Sequence, residues 1–365
     1  MGDSAERPKY EFVDMKAGGE GAVSTAFGNQ VAYCEHQGAP ITARIVAAIW
    51  GTIEAGLDNA LARRIAGWQG APLADALPLR IAGGIHALHL SGEEPALAPI
   101  YRGDAADDVA IIAGAMREHE ARLLPWLDGP PQTNEAGRSS NFIAAMLWLA
   151  DKGLPPRFEC LEIGSSAGIN LMLDRYRYDL GGVETGPEPG AMRFAPEWKG
   201  PPPPDVPIKI LSTRGCDVAP VDLTDPAQAL RLKAYIWPEH TIRFERMEAA
   251  VRAASERRPD IAKINAADFV EAELARPQAE GTTRLLMHSI VWQYVPDDQQ
   301  ERITAAMEAA GAAATPERPL AWISVEADRT VHRHMLKLRY WPGGAHATQL
   351  AWSHAHGADI EWVAP

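Results

Sequence analysis

The chain is poor in cysteine, with three in 365 residues, at Cys34, Cys160 and Cys216. They are far apart, odd in number and form no C-x-x-C pair, so neither a disulfide-stapled fold nor a cysteine zinc site is expected. This usage fits a reducing, cytoplasmic setting, and Cys160, inside an apolar stretch, reads as a small buried hydrophobe. Runs of about 18 apolar residues are missing, so no membrane-spanning helix is expected. The opening residues, MGDSAERPKYEFVDMKAGGEG, lack the apolar core of a secretory signal and read as a flexible arm over 1–25. Positive charge is also in deficit: 35 Lys and Arg against 48 Asp and Glu leave a net charge of −13. Such a balance disfavours a nucleic-acid backbone or an anionic membrane as the main partner. Internal repeats and long charge runs are lacking as well.

What is present is ordinary globular composition, 46% hydrophobic and 23% charged, over a length that suggests two domains. Residues 26–152 are alanine-rich with apolar residues at helical spacing; in SSNFIAAMLWLA, Phe142, Ala145, Met146 and Leu149 share a face. This predicts an all-α domain. At 153 the pattern changes. RFECLEI (157–163), IKILS (208–212), RLLMHSIVW (284–292) and LAWISVEA (320–327) read as strands between helices, and AKINAADF (262–269) holds one more, which Asn265 follows. LKLRYW (336–341) and TQLAWSHA (348–355), joined by Pro-Gly-Gly, read as a terminal hairpin. The alternation predicts an α/β domain over 153–365, with a mostly parallel sheet and a C-terminal antiparallel hairpin. Gly and Pro crowd 180–207, which reads as a long irregular insertion.

One stretch carries two motifs. CLEIGSSAGINL (160–171) contains Gly164-x-Ser166-x-Gly168, the spacing of a hydrolase nucleophile elbow. Read from Glu162, it spells E-x-G-x-S-x-G, a cofactor loop with a serine at the middle glycine. An elbow usually follows several strands, whereas this motif follows the first, where a nucleotide loop belongs. In that reading, small residues at Gly164, Ser165, Ser166, Ala167 and Gly168 let the backbone approach a ligand with N–H groups aimed at it, and the two serines add hydroxyl donors. Glu162 is placed to accept from an ammonium, and Asn170 lines the pocket. At later strand ends, Asp217 could accept from ribose hydroxyls, Asp268 from an adenine amino group with Phe269 packing on its ring, and His288 faces the reacting group. The hydrolase order is completed by Asp328 with His354 or His356.

Gln132, Thr133, Asn134 and Glu135, with Arg138, form a polar cluster before a helix. Thr133 or Asn134 suits an N-cap with Glu135 in the first turn; alternatively these side chains, with Tyr178 at the rim, bind substrate. Arg138 offers a planar fork to a carboxylate or phosphate. Glu135 and His288 are the candidate bases. The pairs His86/His89, His332/His334 and His354/His356 have shared-face spacing, but no metal site is expected from them.

The strand-end pattern over 155–365 resembles class I S-adenosylmethionine-dependent methyltransferases. That resemblance implies a Rossmann-like sheet, S-adenosylmethionine as cofactor and methyl transfer to a small molecule. Asp217 lies 55 residues beyond Glu162, against a usual spacing of about 20, so 174–207 must hold an insertion. PPQTNEAGRSS (130–140), EIGSSAGINLMLDRYRYDLGG (162–182), RGCDVAPVDLTDP (214–226) and MHSIVWQYV (287–295) resemble a bacterial family catalogued as a domain of unknown function. This implies a methyltransferase-related fold behind a helical domain, and no established reaction. A non-catalytic binding protein on the same fold is the alternative.

Overall fold

A computed structural model describes residues 18–364 except 20, 329 and 332. Residues 1–17 of the expected arm, and His332, lie outside the described residues. Two compact units emerge, one from residues up to 133 together with 226–245, the other from 134–225 and 246 onward.

The first unit is helical: α1 (Ala22–His36), α2 (Pro40–Glu54), α3 (Ala60–Ala66), α4 (Leu77–Ser91), α5 (Ala98–Tyr101), α6 (Asp108–Glu118) and α7 (Glu120–Leu123). Proline in the first turn starts α2 and α4, and the Asn59 and Asp107 side chains cap α3 and α6. Isoleucines at helical spacing (Ile45 and Ile49, Ile81 and Ile85) meet Ile112 in one core. Residues 226–245 return here from far along the chain. Glu239 accepts hydrogen bonds from Ile41 N and Thr42 N at 2.6 and 3.0 Å, satisfying open N–H groups at the positive end of α2. His86 is buried with Nδ1 3.0 Å from the Ala234 carbonyl, and burial pushes its pKa down to about 4.

The second unit opens with α8 (Ser139–Asp151) and β1 (Arg157–Ile163), the latter bounded as the sequence predicts. There follow β2 (Arg177–Leu180), β3 (Val183–Thr185), β4 (Arg193–Phe194), β5 (Glu197–Lys199) and β6 (Lys209–Asp217). Helix α9 (Pro226–Ala234) belongs to the first unit, and α10 (Thr241–Glu256) leads back. Then come β7 (Ile261–Lys263), α11 (Ala266–Leu274), β8 (Thr283–Ser289), α12 (Asp297–Ala312), β9 (Leu320–Asp328), β10 (Arg333–Trp341), β11 (Gly344–Ser353) and β12 (Asp359–Trp362).

The main sheet runs β5-β12-β11-β10-β9-β8-β1-β6-β7. Strands β9, β8, β1, β6 and β7 are parallel, and β9 to β12 are antiparallel. A mixed α/β unit with a mostly parallel sheet and antiparallel C-terminal strands is therefore present. From β1 the chain first builds outward through β6 and β7, then returns to place β8 and β9 on the other side. The direction reverses between β1 and β8, and at such switch points the loops at the carboxyl ends diverge and leave a crevice. Leu161, Ile163, Leu286, Phe269, Ile303 and Met307 join the sheet to α11 and α12 on one face.

Three expectations change. Residues 180–207 are partly ordered: β2, β3 and β4 form a small sheet, and β5 extends the edge of the large one. The stretch after Gly168 is a six-residue 3-10 turn, Asn170–Arg175, rather than an α-helix, because the chain re-enters a strand at Arg177. Strand β6 runs past Ser212 to Asp217, while β7 ends before Asn265 as expected, at Lys263, and Asn265 caps α11.

Candidate functional site at the carboxyl ends of β1 and β8

The loop after β1 turns sharply. Gly164, Ser166 and Gly168 have φ of 67°, 51° and 71°. Left-handed backbone is easy for glycine and costs a side-chain-bearing residue about 1–2 kcal/mol. Four N–H groups of the loop are spent inside the protein. Ser165 N donates to the Cys216 carbonyl (2.9 Å), Ser166 N to Asp217 Oδ2 (2.8 Å), Gly168 N to the Ser165 carbonyl (2.7 Å) and Ile169 N to Asn134 Oδ1 (3.0 Å). A backbone cradle for a ligand is thus not open at these positions. The Ser165 hydroxyl is also committed, donating to the Glu162 carbonyl at 3.0 Å. Ala167 is buried.

Buried side-chain atoms are left without partners instead. Glu162 is 2% exposed; its Oε1 accepts from Asn170 Nδ2 at 3.1 Å, while Oε2 has no hydrogen-bond partner among the described residues. Asn170 Oδ1 and Ser166 Oγ are buried and equally unpartnered. Unsatisfied buried polar atoms are rare and costly, so several around one loop point to a missing partner. Burial pushes the Glu162 carboxyl up to about 7, against the hydrogen bonds and the Arg138 charge that pull it down. The strained Ser166 backbone makes a direct prediction. Ser166→Gly should leave stability within about 1 kcal/mol of the parent, whereas Ser166→Val, β-branched at positive φ, should cost about 2 kcal/mol more. Equal denaturation midpoints for the two variants would show that the loop is not held in this conformation.

At the next strand end, His288 is 2% exposed and its Nδ1 stands 2.7 Å from Glu326 Oε1 on β9. The same oxygen accepts from Val291 N and Trp292 N at 3.2 and 3.3 Å. Ile290, with φ 53°, swings the chain out of β8 so that Val291 closes on Gly164. Glu162 pairs with Met287, and successive strand residues alternate faces, so Glu162 and His288 project from opposite sides of the sheet. A ligand reaching both has to lie across the carboxyl edge, over Gly164 and Val291. On the His288 side, a pocket of about 270 Å³ is lined by His288, Trp292, Trp322, Ser324, Glu326 and Lys337, among others.

Of the residues picked from sequence, Glu162, the 164–168 loop, Asn170, Asp217 and Asn134 are brought together. His288 joins them through Val291. Others land elsewhere. Phe269 packs in the core with Leu161 and Ile303, because α11 starts early and turns it inward. Asp268 sits in the first turn of α11, paired with Arg302 at 2.7 Å and Asn265 at 2.6 Å. Tyr178 is fully buried, its hydroxyl 3.1 Å from both Ser139 Oγ and the Leu173 carbonyl, so it is core and not rim. Arg138 stays near the site, its charge acting on Glu162, and spends Nε on the Ala355 carbonyl and Nη1 on the Ser289 carbonyl, at 2.8 and 3.4 Å. Glu135 is itself the cap of the turn at 136–138, through Gly137 N, and lies 3.5 Å from Arg246. Gln132 is half-buried and Thr133 exposed.

Asp328 is engaged with Thr330, and the unpartnered Ser166 Oγ has no imidazole on it, so the base a nucleophile needs is not in place. Sequence reasoning missed Glu326 and Trp292. The signal for Glu326 was its i, i+2 spacing with Trp322 and Ser324 on one strand face. Among the described residues, Glu94, Glu118 and His119 form one further group with cation-ligand spacing, in the helical unit.

A family model described as "Uncharacterized protein conserved in bacteria (DUF2332)" matches residues 24–362. No curated protein and no solved structure matches the chain significantly. Among the described residues, no helix is long and apolar enough to cross a membrane.

Proposed function

We propose that this chain, which belongs to the bacterial family DUF2332, is an S-adenosylmethionine-dependent methyltransferase acting on a small molecule, on a Rossmann-like sheet. The observation that carries this reading is the group of buried, unpartnered atoms at the end of the first parallel strand: Glu162 Oε2, Asn170 Oδ1 and Ser166 Oγ. Two are acceptors and the third is a hydroxyl, so the group suits a ligand fragment rich in donors. The ammonium of an amino-acid cofactor is such a fragment, and with it bound the Glu162 carboxylate regains the partner that burial denies it. The residues therefore fit the cofactor that the resemblance implies.

Glu162 and Asn170 would hold the ammonium. Asp217 accepts one hydrogen bond on each oxygen, from Ser166 N and Ala219 N. A carboxylate has about four acceptor sites, so Asp217 retains capacity for hydroxyl groups. Bound here, the cofactor supplies an electrophilic methyl group. His288, oriented by Glu326, takes the proton of an acceptor hydroxyl or amine, and the apolar walls beside it exclude water. Catalysis then rests mainly on alignment.

A calorimetric titration with S-adenosylmethionine and S-adenosylhomocysteine tests the reading. Binding at or below about 100 μM is expected, weakened at least about tenfold in Glu162→Gln, equivalent to about 1.4 kcal/mol. No heat at millimolar ligand sinks it. A second reading, a binding or regulatory protein on the same fold, draws on the four loop N–H groups already spent internally. It expects no turnover, with or without cofactor binding.

A further inference from the structure

Two side chains that line the pocket beside His288 carry buried, unpartnered polar atoms of opposite kind. His288 directs Nδ1 at the Glu326 carboxylate, so in the neutral ring Nδ1 carries the proton and Nε2 is a bare acceptor. Nε2 has no partner among the described residues, and neither does Trp322 Nε1, a group that can only donate. Both side chains line the pocket. The walls are aromatic: Trp292 stacks on the His288 ring at 5.1 Å, and Trp322 meets Trp292 edge to face at 5.6 Å. Cations stand nearby. Arg339 is held by Glu308 at 3.0 Å over the Trp322 ring, while Lys337 is exposed at the rim. The volume of about 270 Å³ exceeds the roughly 150 Å³ that a benzene ring occupies in a dry cavity. It therefore admits one substituted ring or a small fused pair.

We infer that this pocket binds a small planar hydroxy-aromatic acid, with its ring hydroxyl on His288 Nε2 and its carboxylate toward Lys337. Aromatic walls select a flat ring, a single bare acceptor selects a hydroxyl or N–H, and a rim ammonium selects an anion. A hydroxyl oxygen or carbonyl substituent on the ring can take the Trp322 N–H. The His288–Glu326 pair does more than recognise. The hydroxyl proton passes from oxygen to Nε2, both O–H bonding electrons stay on the oxygen, and the resulting imidazolium is stabilised by the Glu326 carboxylate. Lys337 and Arg339 on β10 add positive charge that favours the bound phenolate. The role of such a molecule as methyl acceptor rests on the cofactor reading above. Its binding and ionisation do not.

The test uses 4-hydroxy-3-nitrobenzoate, whose ionised form absorbs in the visible, with the full-length protein and no cofactor. Saturable binding is expected, with an increased phenolate absorbance at a pH about one unit below the free probe's own midpoint. His288→Gln should bind within about threefold but lose the absorbance increase. Lys337→Met, at an exposed position that cannot disturb the core, should weaken binding at least fivefold and keep the increase. The methyl ether 4-methoxy-3-nitrobenzoate should bind at least tenfold more weakly. No saturation at millimolar probe, an unchanged increase in His288→Gln, or equal binding of the ether overturns the proposal. The cofactor titration is read separately: probe ionisation without cofactor binding removes only the methyltransferase reading, and cofactor binding without probe binding removes only this one.

Discussion

Gly164→Ala will lower the stability of the sheet unit by about 2–5 kcal/mol, or roughly 5–15 °C in its thermal midpoint. Two effects add. At φ 67° any L side chain is strained, by about 1–2 kcal/mol. An added Cβ would also stand 2.2 Å from Val291 Cγ2, far inside contact, and the β-carbon of Val291 is only 2.8 Å away, so a rotamer change alone does not relieve it. Val291 has to move. Its N–H is bonded to Glu326 Oε1, the oxygen that also faces His288. The strain is therefore transmitted to the pocket, and the variant should lose probe ionisation even under conditions where it remains folded. Val291→Ala in the same chain removes the clashing methyl groups but keeps the β-carbon and the backbone strain, so the double variant should recover part of the loss; a double-mutant cycle measures this coupling. A Gly164→Ala midpoint within 2 °C of the parent would falsify the packing described here.

Glu162→Gln should stabilise the protein at pH 8 and have little effect near pH 4. The Glu162 carboxyl is raised from about 4.5 in an unfolded chain to about 7 in the fold, first by burial. Its contribution is therefore fully present below about pH 4.5, where both states are protonated. It is lost as pH rises through 7, because the folded state then holds a buried charge that the unfolded state places in water. The full penalty is about 3 kcal/mol, an upper figure since local relaxation reduces it. Glutamine keeps the Oε1 acceptor for Asn170 and never ionises. Denaturant unfolding from pH 4 to 8 should show the parent losing stability across that window relative to the variant. Saturating S-adenosylmethionine should narrow or reverse the difference, because an ammonium compensates the carboxylate only in the parent. Parallel stability curves for the two proteins would mean that Glu162 is solvated.

Much of the fold is legible in the sequence. Strand β1 and its loop, the fifth strand and the closing hairpin were found because alternation, glycine and proline are local signals. Asp217, expected as a ribose acceptor, and Asn134, expected as an N-cap or a substrate contact, both reach the glycine loop, where they brace Ser166 and Ile169. The errors share one cause. Phe269 and Tyr178 read as site residues from chemical type and nearness in sequence. Their fates depend on where α11 begins and how β2 folds back. The Glu326 partner of His288 lies 38 residues on, and the acid that caps α2, Glu239, lies nearly 200 residues from it.

The sequence by itself determined the helical first part, the alternating second part, the absence of a cysteine framework and the position of a tight loop on the first strand. Each follows from composition or from a period of two or 3.6 residues. Only the tertiary structure decided what that loop can do. By supplying partners for four of its N–H groups and none for Glu162 Oε2, Asn170 Oδ1 and Ser166 Oγ, the packing turned an expected backbone cradle into a buried cluster of side chains. By register, it set His288 on the opposite face of the sheet. Hydrogen bonds across long separations carry no periodic trace in the chain, and they are formed or denied only when the strands are side by side.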